Sequence, residues 1–379
     1  IQYINLLTKF YQKTKKEYYK KKLIQTINFI NQEFKNEENL YGSAYDADSE
    51  GIEGKYYVWS YEELKKLLEN DFVLFEKKYE VSNTGNFEGK NILVESKNEL
   101  NEEEQNKIAK IEDKLVQERK KRVKPFFDDK SQTDLNAFIL DTLIIASIIL
   151  EDNNLKSEAI STLEILNNKL SNKIYHCYDS SEIDSFLEDY VYYAMLLVTL
   201  YEVNGDERAL QKAISIMKET WEIFYNKDTQ LLQKNKIKDN DLFVSPIDLN
   251  DSNIPNGNSV YLNLCNKIYT ITNDKFWFDK VEILKKSFHQ VLNSFFSQMF
   301  SFIKTLDLCE NSISFTFFGN QDSIKDIKIN LQKNYLGRAT FVYKNNNEKV
   351  ASVVICKNQT CSEKLKDLNE VKNYLENKI

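Results

Sequence analysis

The chain has 379 residues, 42% of them hydrophobic and 13% aromatic, which supports a sizeable core and excludes wholesale disorder. Its formal net charge of -7 provides no basic surface for nucleic acid. Only 9 glycines and 3 prolines occur, against roughly 27 and 19 for ordinary usage, so the composition predicts a mainly helical protein. No apolar run reaches about 18 residues, and we expect no transmembrane helix.

Helical spacing of apolar residues recurs along most of the chain, beginning at its first residue. Predicted helices cover residues 1–13, 18–34, 60–68, 101–121, 133–150, 155–170, 184–203, 207–225, 255–271 and 275–300. Short polar turns, such as 204–206 and 273–274, join several of them in pairs, which is typical of αα-hairpins. Repeated helix pairs predict an α/α toroid, and a plain helical bundle or solenoid is the alternative interpretation.

From Ile313 onward the pattern alternates between strands and helices. Predicted strands cover 314–318, 339–343 and 351–355, and predicted helices cover 323–332 and 362–375. We therefore predict two domains, a toroid over residues 1–305 and a small C-terminal α/β element over 306–379 that packs on it.

The segment from Tyr45 to Trp59 concentrates charge and aromatic side chains between two helical patterns. Four carboxylates fall within eight residues, those of Asp46, Asp48, Glu50 and Glu53. Like charges this close are costly unless they face solvent, a cation or a polar ligand. The segment is therefore a candidate site, and a solvated turn is the alternative. The aromatic residues Tyr56, Tyr57 and Trp59 either stack on a ligand or belong to the core.

The five cysteines are scattered, which argues against a disulfide framework. Four residues separate Cys356 from Cys361, and no nearby Cys or His completes a zinc site, so we expect two reduced thiols. His176 and His289 lack metal-ligand spacing, and nucleotide-binding fingerprints are absent, so neither a metal nor a cofactor is expected. No signal peptide opens the chain, and we expect a cytoplasmic protein. The sequence leaves the oligomeric state open.

Several motifs follow one another in a fixed order. They read YDADSEG and EGKYYVW within 45–59, GNFEGKNIL at 85–93, DDK at 128–130, LEDY at 187–190 and GNS at 257–259. With Arg119, Arg122, Pro125 and the two C-terminal cysteines, this series resembles the large helical part of the spermatogenesis-associated protein 20 family and its bacterial relatives, the thioredoxin domain-containing proteins. Members of that family carry an N-terminal thioredoxin-like domain, which this chain lacks, so we expect a partial member.

The resemblance implies a six-hairpin glycosidase-like (α/α)6 toroid, similar also to sugar epimerases of the N-acylglucosamine 2-epimerase type. It implies a carbohydrate-active or carbohydrate-binding protein, acting as a hydrolase or an epimerase through paired carboxylates. The alternative is a non-catalytic binding or scaffold module. Residues 135–137 are Leu-Asn-Ala where the family usually has Trp-Asn-Gly, and this difference favours the alternative. A glycan or other small molecule is the expected ligand, with no nucleic acid or membrane partner.

A glycosidase brackets the scissile bond between two carboxyl groups. The expected catalytic residues are Asp46, Asp48, Asp128, Asp129 and Asp189. The expected substrate-binding residues are Glu50, Tyr56, Tyr57, Trp59, Lys130, Asn136, Glu188 and Asn258. We expect the loops at 46–50, 128–130 and 188–189 to meet in one cavity. One carboxylate would come from the first loop and the other from the second or third. Helix capping and loop bonding are the alternative roles of these acids.

Overall fold

The computed structural model describes residues 1–171, 173–177, 183–236, 246–319, 324–344, 351–358 and 360–378. They divide into two compact units. The first, which we call the helical unit, comprises Ile1–Gly42 and Lys130–Ile379. The second, the inserted unit, is Ser43–Asp129. The boundary predicted between residues 305 and 306 stays a prediction.

Helices account for most of the described chain. They are α1 (Gln2–Thr14), α2 (Glu17–Glu33), α3 (Tyr61–Leu68), α4 (Phe72–Lys78), α5 (Glu102–Arg119), α6 (Thr133–Leu150), α7 (Asn153–Lys169), α8 (Leu187–Asn204), α9 (Glu207–Phe224), α10 (Gly257–Thr272), α11 (Lys275–Phe295), α12 (Phe300–Glu310), α13 (Lys325–Tyr335) and α14 (Leu368–Lys378). Short 3-10 turns at Glu69–Asp71 and Phe296–Gln298 precede α4 and α12.

The strands are short, apart from three near the C-terminus. They are β1 (Ala44–Tyr45), β2 (Asp48–Ser49), β3 (Ile52–Glu53), β4 (Tyr79–Glu80), β5 (Val94–Glu95), β6 (Phe127–Asp128), β7 (Tyr175–Cys177), β8 (Ile183–Asp184), β9 (Tyr225–Asn226), β10 (Leu231–Leu232), β11 (Ile313–Phe318), β12 (Thr340–Lys344), β13 (Ser352–Lys357) and β14 (Thr360–Cys361).

Four consecutive helix hairpins, α1/α2, α6/α7, α8/α9 and α10/α11, form the described body of the helical unit. Their first helices pack in sequence, with α1 against α6, α6 against α8, and α8 against α10, and α12 packs on α10. This is the packing of an α/α toroid. The predicted mainly α fold class is confirmed.

The turns within three hairpins share one local design. The residue after the first helix adopts a left-handed conformation, at Glu151, Gly205 and Asn273. The next residue is an aspartate, Asp152, Asp206 or Asp274, whose carboxylate accepts backbone N–H groups at the start of the second helix. A left-handed residue ends a helix and an Asp N-cap begins one, so two residues suffice to reverse the chain.

Helix α6 is apolar around its whole circumference and is buried accordingly. By length and composition it is the described helix that could cross a membrane, but 78% of it is buried inside the protein. The helix predicted over residues 133–150 is therefore present and largely buried.

The inserted unit begins and ends on paired strands. Strand β1 pairs antiparallel with β6, with Ala44 opposite Asp128 and Tyr45 opposite Phe127. The unit has a small core of its own, formed by Trp59, Leu64, Leu68, Phe72, Phe75, Ile108, Ile111 and Leu115. A capping box formed by Ser60 and Glu63 begins α3.

The C-terminal strands form a four-stranded sheet in the order β12-β11-β13-β14. Strands β11 and β12 are parallel and are connected through α13, whereas β13 pairs antiparallel with β11. This sheet contacts the helical body, since β12 packs against α8 and α10. The small α/β element packed on the helices is therefore present as predicted.

The expectation of two reduced C-terminal thiols is wrong. Strands β13 and β14 form a tight hairpin in which Cys356 stands directly opposite Cys361. Their Cα atoms are 4.0 Å apart and the side chains form a disulfide. The hairpin register brings the two cysteines within the distance that a disulfide requires. Cys177, Cys265 and Cys309 form no disulfide within the described residues.

This bond predicts the number of thiols that react. In denaturant without reductant, we expect alkylation to modify Cys177, Cys265 and Cys309 only, and all five cysteines once a reductant is added. Intact mass spectrometry counts the added groups. In the Cys356→Ser variant, the released Cys361 should add a fourth group without reductant. Five groups on the unreduced wild-type chain would show that the disulfide is absent.

Candidate active site

The first turns of α6 and α8 carry buried acidic side chains, although most of the other buried residues of these helices are apolar. Asp189 of α8 is completely buried. Its Oδ2 accepts the backbone N–H of Phe186 at 2.8 Å, and its Oδ1 accepts that of Asp134 at 3.1 Å. The first N–H groups of a helix have no partner within it. Asp189 therefore caps its own helix and also binds the start of α6.

His176 of strand β7 is the second partner of this carboxylate. Its Nδ1 lies 3.1 and 3.2 Å from Oδ1 and Oδ2 of Asp189. Burial alone would lower the pKa of His176, but the bond to Asp189 and the charges of Asp189, Asp134 and Glu188 raise it above its ordinary value. The imidazolium form is thus favoured beside the two aspartates.

Asp134 holds its proton unusually strongly. Burial disfavours its carboxylate, and the negative charge of Asp189 adds to the effect, while His176 opposes it. Together they raise the pKa of Asp134 to about 7. Such a carboxyl group can donate a proton near neutral pH, as a general acid must.

These groups face a cavity of about 190 Å³ in the helical unit. It is lined by Asp134, His176, Phe186, Glu188, Lys234, Asp248, Asn250, Ser252, Ile254, Pro255 and Asn256. A salt bridge of 3.2 Å joins Lys234 to Asp248 in this lining. The cavity therefore combines acids, a histidine and a lysine in one small space.

Glu188 is held at the start of α10. Its Oε1 accepts the backbone N–H of Gly257 at 3.2 Å, and a Cβ at position 257 would lie 2.8 Å from that oxygen, so glycine permits the approach. The other oxygen, Oε2, is buried and has no hydrogen-bond partner among the described residues. Burial raises the pKa of Glu188. An unsatisfied acceptor in a cavity wall is suited to a ligand hydroxyl.

The cluster of Asp134, His176 and Asp189 also has metal-like spacing. One candidate ligand atom from each residue lies within 4.8 Å of the others. The oxygens of Asp189 already accept two backbone N–H groups and face His176. A cation would have to displace the imidazole or leave one carboxylate short of partners, so this donor set fits acid–base chemistry better than metal binding.

The predicted acids of the inserted unit lie on or beside its short strands. Asp46, Asp48 and Glu50 are exposed, and Glu50 pairs with Lys55 at 2.8 Å. The backbone N–H of Asp46 donates to the carbonyl of Phe126, next to β6. The structure thus brings the 46–50 loop beside residues 126–128 within this unit. Half-buried Asp128 and exposed Asp129 end the unit.

Other predicted residues belong to the helical unit. It resumes at exposed Lys130 and contains Glu188 and Asp189. A single site that unites residues 188–189 with the acids of 46–50 and 128–129 stays a prediction, because these groups belong to different compact units.

The predicted stacking residues pack against arginines. Tyr56 and Trp59 are buried, whereas Tyr57 is exposed. The Arg122 guanidinium lies 3.9 Å from the centre of the Trp59 ring, and that of Arg119 lies 5.6 Å from the centre of Tyr56. Cation–π stacking of this kind holds the segment in place. Sugar stacking by these rings stays a prediction, and core packing is the observed arrangement for two of them.

Asn136 and Asn258 are both completely buried and bind backbone. The Asn136 amide accepts the N–H of Tyr41 at 2.8 Å and donates to the carbonyls of Tyr41 and Gln132, each at 2.9 Å. Asn258 pairs in the same way with the N–H and carbonyl of Leu232, at 2.9 and 2.8 Å. These bonds fasten loops to α6 and α10, and a role in substrate binding stays a prediction for both residues.

Of the residues that line the cavity, Glu188 alone was predicted as a site residue, and the missed ones include Asp134 and His176. Asp134 had a usable signal, because a carboxylate at the start of a mostly apolar helix needs a partner. His176 lies outside every motif, and its role depends on Asp189, thirteen positions away. No local pattern marks that pairing.

No family model matches this chain, and no curated protein matches it. Among solved structures, it is similar to a GH76 α-mannanase of Bacteroides thetaiotaomicron, with 15% identity, coverage of 72% of this chain and 68% of that chain, and a TM-score of 0.39. An inactive variant of the α-1,6-mannanase GH76A of Salegentibacter sp., in complex with α-1,6-mannotetrose, is 12% identical over 75% and 69% of the chains, with a TM-score of 0.32.

A sugar epimerase from a ruminal bacterium is 11% identical over 71% of this chain and 84% of that chain, with a TM-score of 0.29. These structures are glycoside hydrolases and a sugar epimerase, the two kinds of protein expected for the helical part. Likeness this distant carries no argument about the reaction. The thioredoxin-related family stays an expectation of the sequence.

The buried amide of Asn136 predicts a large stability effect. In the Asn136→Ala variant, the N–H and carbonyl of Tyr41 lose their partners, and we expect the free energy of unfolding to fall by about 2–4 kcal/mol. Urea unfolding measures it. The control Asn377→Ala, at an exposed helical position, should change it by less than about 0.5 kcal/mol. Unchanged stability with lost ligand affinity would instead support a substrate-binding role.

The raised pKa of Asp134 predicts a pH-dependent stability. Between the unfolded pKa of 3.8 and the folded pKa of about 7, the folded chain binds the proton more strongly. Stability therefore falls as pH rises through this window, and the raised pKa of His176 acts in the same direction. Asp134→Asn should flatten the profile in urea titrations between pH 4 and pH 7, whereas the surface variant Asp279→Asn should not. Equal slopes for wild type and Asp134→Asn would contradict this assignment.

Proposed function

We propose that the helical unit is carbohydrate-active and performs acid–base chemistry on a sugar in the cavity of Asp134, His176 and Glu188, with glycoside hydrolysis as the reaction. The observation that carries the proposal is the pair of carboxyl groups in one cavity wall, Asp134, whose pKa burial and Asp189 raise to about 7, and Glu188. Glycoside hydrolysis needs one carboxyl acid of this kind and a second carboxylate.

The roles follow from the bonds of each side chain. Asp134 donates its proton to the leaving oxygen as the bond from the sugar carbon to that oxygen breaks. Water adds to the same carbon, and its proton passes to Glu188, whose Oε2 has no other partner among the described residues. His176, held by Asp189, carries a proton beside Asp134, and its positive charge favours the carboxylate that Asp134 becomes once its proton has left. Asp189 is a positioning residue in this scheme.

A binding protein without turnover is the second candidate. The cavity of about 190 Å³ is smaller than the roughly 300 Å³ at which typical ligand sites begin, so it accommodates little more than one sugar ring. Leu135 in place of the family's aromatic residue favours this reading as well. A rival catalytic proposal places the reaction at Asp48 and its neighbours in the inserted unit.

One experiment separates these proposals. Purified wild-type protein is incubated with a panel of oligosaccharides that includes α-1,6-mannooligosaccharides, the ligands of the similar mannanase, and products are separated by chromatography. We expect hydrolysis by wild type, a loss of about 10²–10⁴-fold in kcat for Asp134→Asn, and little change for Asp48→Asn. The Asn side chain keeps the shape and the backbone bond of Asp134, and circular dichroism confirms folding.

Each other outcome has a definite meaning. Loss of turnover in Asp48→Asn with retention in Asp134→Asn would place the chemistry in the inserted unit. Glycan binding without product over long incubation would establish the binding role. Interconversion of two free sugars, without hydrolysis, would make the protein an epimerase.

A further inference from the structure

Part of the cavity lining has no role in the proposed reaction. Asp134, His176 and Glu188, to which that reaction is assigned, belong to α6, β7 and α8. The same lining includes Lys234, shortly after β10, and Asp248, in the segment that leads to α10. A few well-placed polar groups usually fix the orientation of a ligand in its cavity. The two charged residues outside the proposed chemistry are therefore candidates for ligand recognition.

Lys234 and Asp248 form a salt bridge that keeps unused bonding capacity. Nζ of Lys234 lies 3.2 Å from Oδ2 of Asp248, and the two side chains are 41% and 46% exposed. Among the residues that the structure describes, neither side chain has another hydrogen-bond or salt-bridge partner. An ammonium group can donate several hydrogen bonds and a carboxylate can accept several. One mutual contact therefore leaves a donor and an acceptor side by side in the cavity wall.

Backbone bonds hold both members of this pair next to the proposed catalytic groups. The carbonyl of Lys234 accepts the N–H of Leu187, the residue that precedes Glu188, at 3.0 Å. The completely buried amide of Asn258 donates to the carbonyl of Asp248 at 3.4 Å. The pair is therefore preorganised, and a ligand that binds it loses little affinity to the ordering of these segments.

The pair supplies charged partners without a net charge of its own. A ligand carboxylate would compete with Asp248 for the ammonium group and leave that acid near Glu188 without its cation. A ligand ammonium group would compete with Lys234 for the carboxylate in the same way. A hydroxyl group both donates and accepts, so two hydroxyls can join the salt bridge without breaking it. Adjacent hydroxyls of a sugar ring are close enough to reach a donor and an acceptor that are themselves in contact.

We propose that Lys234 and Asp248 form the subsite that recognises two adjacent hydroxyls of a neutral sugar. Lys234 donates to the oxygen of one hydroxyl, the neighbouring hydroxyl donates to Asp248, and both bonds are charge-assisted. The inference rests on the proposed function and deepens it by naming the substrate class, a neutral pyranoside whose adjacent hydroxyls carry no substituent. The two residues determine specificity and exchange no proton in the reaction.

Titration calorimetry on the full chain tests the subsite, with the methyl glycosides of mannose, glucose and galactose as probes. The glycoside that binds most tightly is then replaced by its 2-, 3- and 4-deoxy analogues. Every adjacent pair among these three hydroxyls includes position 3. We therefore expect the 3-deoxy sugar and at least one of the other two to bind wild type about tenfold more weakly, since each lacks one charge-assisted bond.

Variants show whether these hydroxyls bind the proposed pair. Lys234→Met keeps the length of the side chain but removes its donor, and Asp248→Ala removes the acceptor. Each should weaken the parent glycoside about tenfold and abolish the further loss at one deoxy position, and the two positions should be adjacent. Lys275→Met, at an exposed salt bridge with Asp279, is the control and should change no affinity. Circular dichroism confirms that the variants fold.

Three results would overturn the subsite. They are an equal loss of affinity for parent and deoxy sugars in both variants, as a merely structural role predicts, tighter binding of the matching uronic acid than of the neutral glycoside, and no binding of any glycoside up to about 50 mM. Failure of the proposed function is a separate result, because binding needs no turnover. Sugar binding with the expected hydroxyl pattern but without hydrolysis of any oligosaccharide would remove the reaction and keep the subsite. Hydrolysis without that pattern would do the reverse.

Discussion

The carboxylate of Asp189 is the constraint on which the candidate site depends. It is completely buried, a position that an acid tolerates only when its oxygens are well satisfied. The N-termini of α6 and α8 supply backbone N–H groups and β7 supplies His176, so one side chain joins three elements. Positive dipole ends of two helices favour its charge. Burial, and then that charge, raise the pKa of Asp134. A structural cap thereby contributes to the raised pKa of its neighbour.

The local parts of the fold could be predicted from the sequence. The hairpin turns at 204–206 and 273–274 can be recognised in the sequence, because a left-handed residue followed by an N-capping aspartate is a short-range pattern. The strands of the C-terminal sheet can be recognised in the same way, because the spacing of apolar residues changes there from the helical period to that of a strand. Elements of this kind depend on residues that are close together in the sequence, so a local pattern is enough to predict them.

The predictions that were wrong or missing concern features that depend on contacts between residues far apart in the sequence. A single helix was predicted over 275–300, but α11 stops at Phe295 and α12 begins at Phe300. Asp251 holds this break, since its Oδ2 accepts the N–H of Ser301 at 2.7 Å and its own N–H donates to Gln298. The disulfide of Cys356 depends on hairpin register. His176 became a candidate only through Asp189. Half of the site could be predicted, because Glu188 and Asp189 lie in a recognisable motif and their partners do not.

The pairing of β1 with β6 has a consequence for how this chain tolerates change. The strands bring both ends of the inserted unit to adjacent ladder positions, and the rings of Tyr45 and Phe127 stack at 4.8 Å. Opposed Cα atoms in such a ladder are about 5 Å apart. The junctions at Gly42 and Lys130 can thus keep their spacing whatever the length of the segment between them. The pairing of β1 with β6 offsets the entropic cost of closing the segment between them. The segment can therefore lengthen, shorten or be exchanged with little loss of stability in the helical unit.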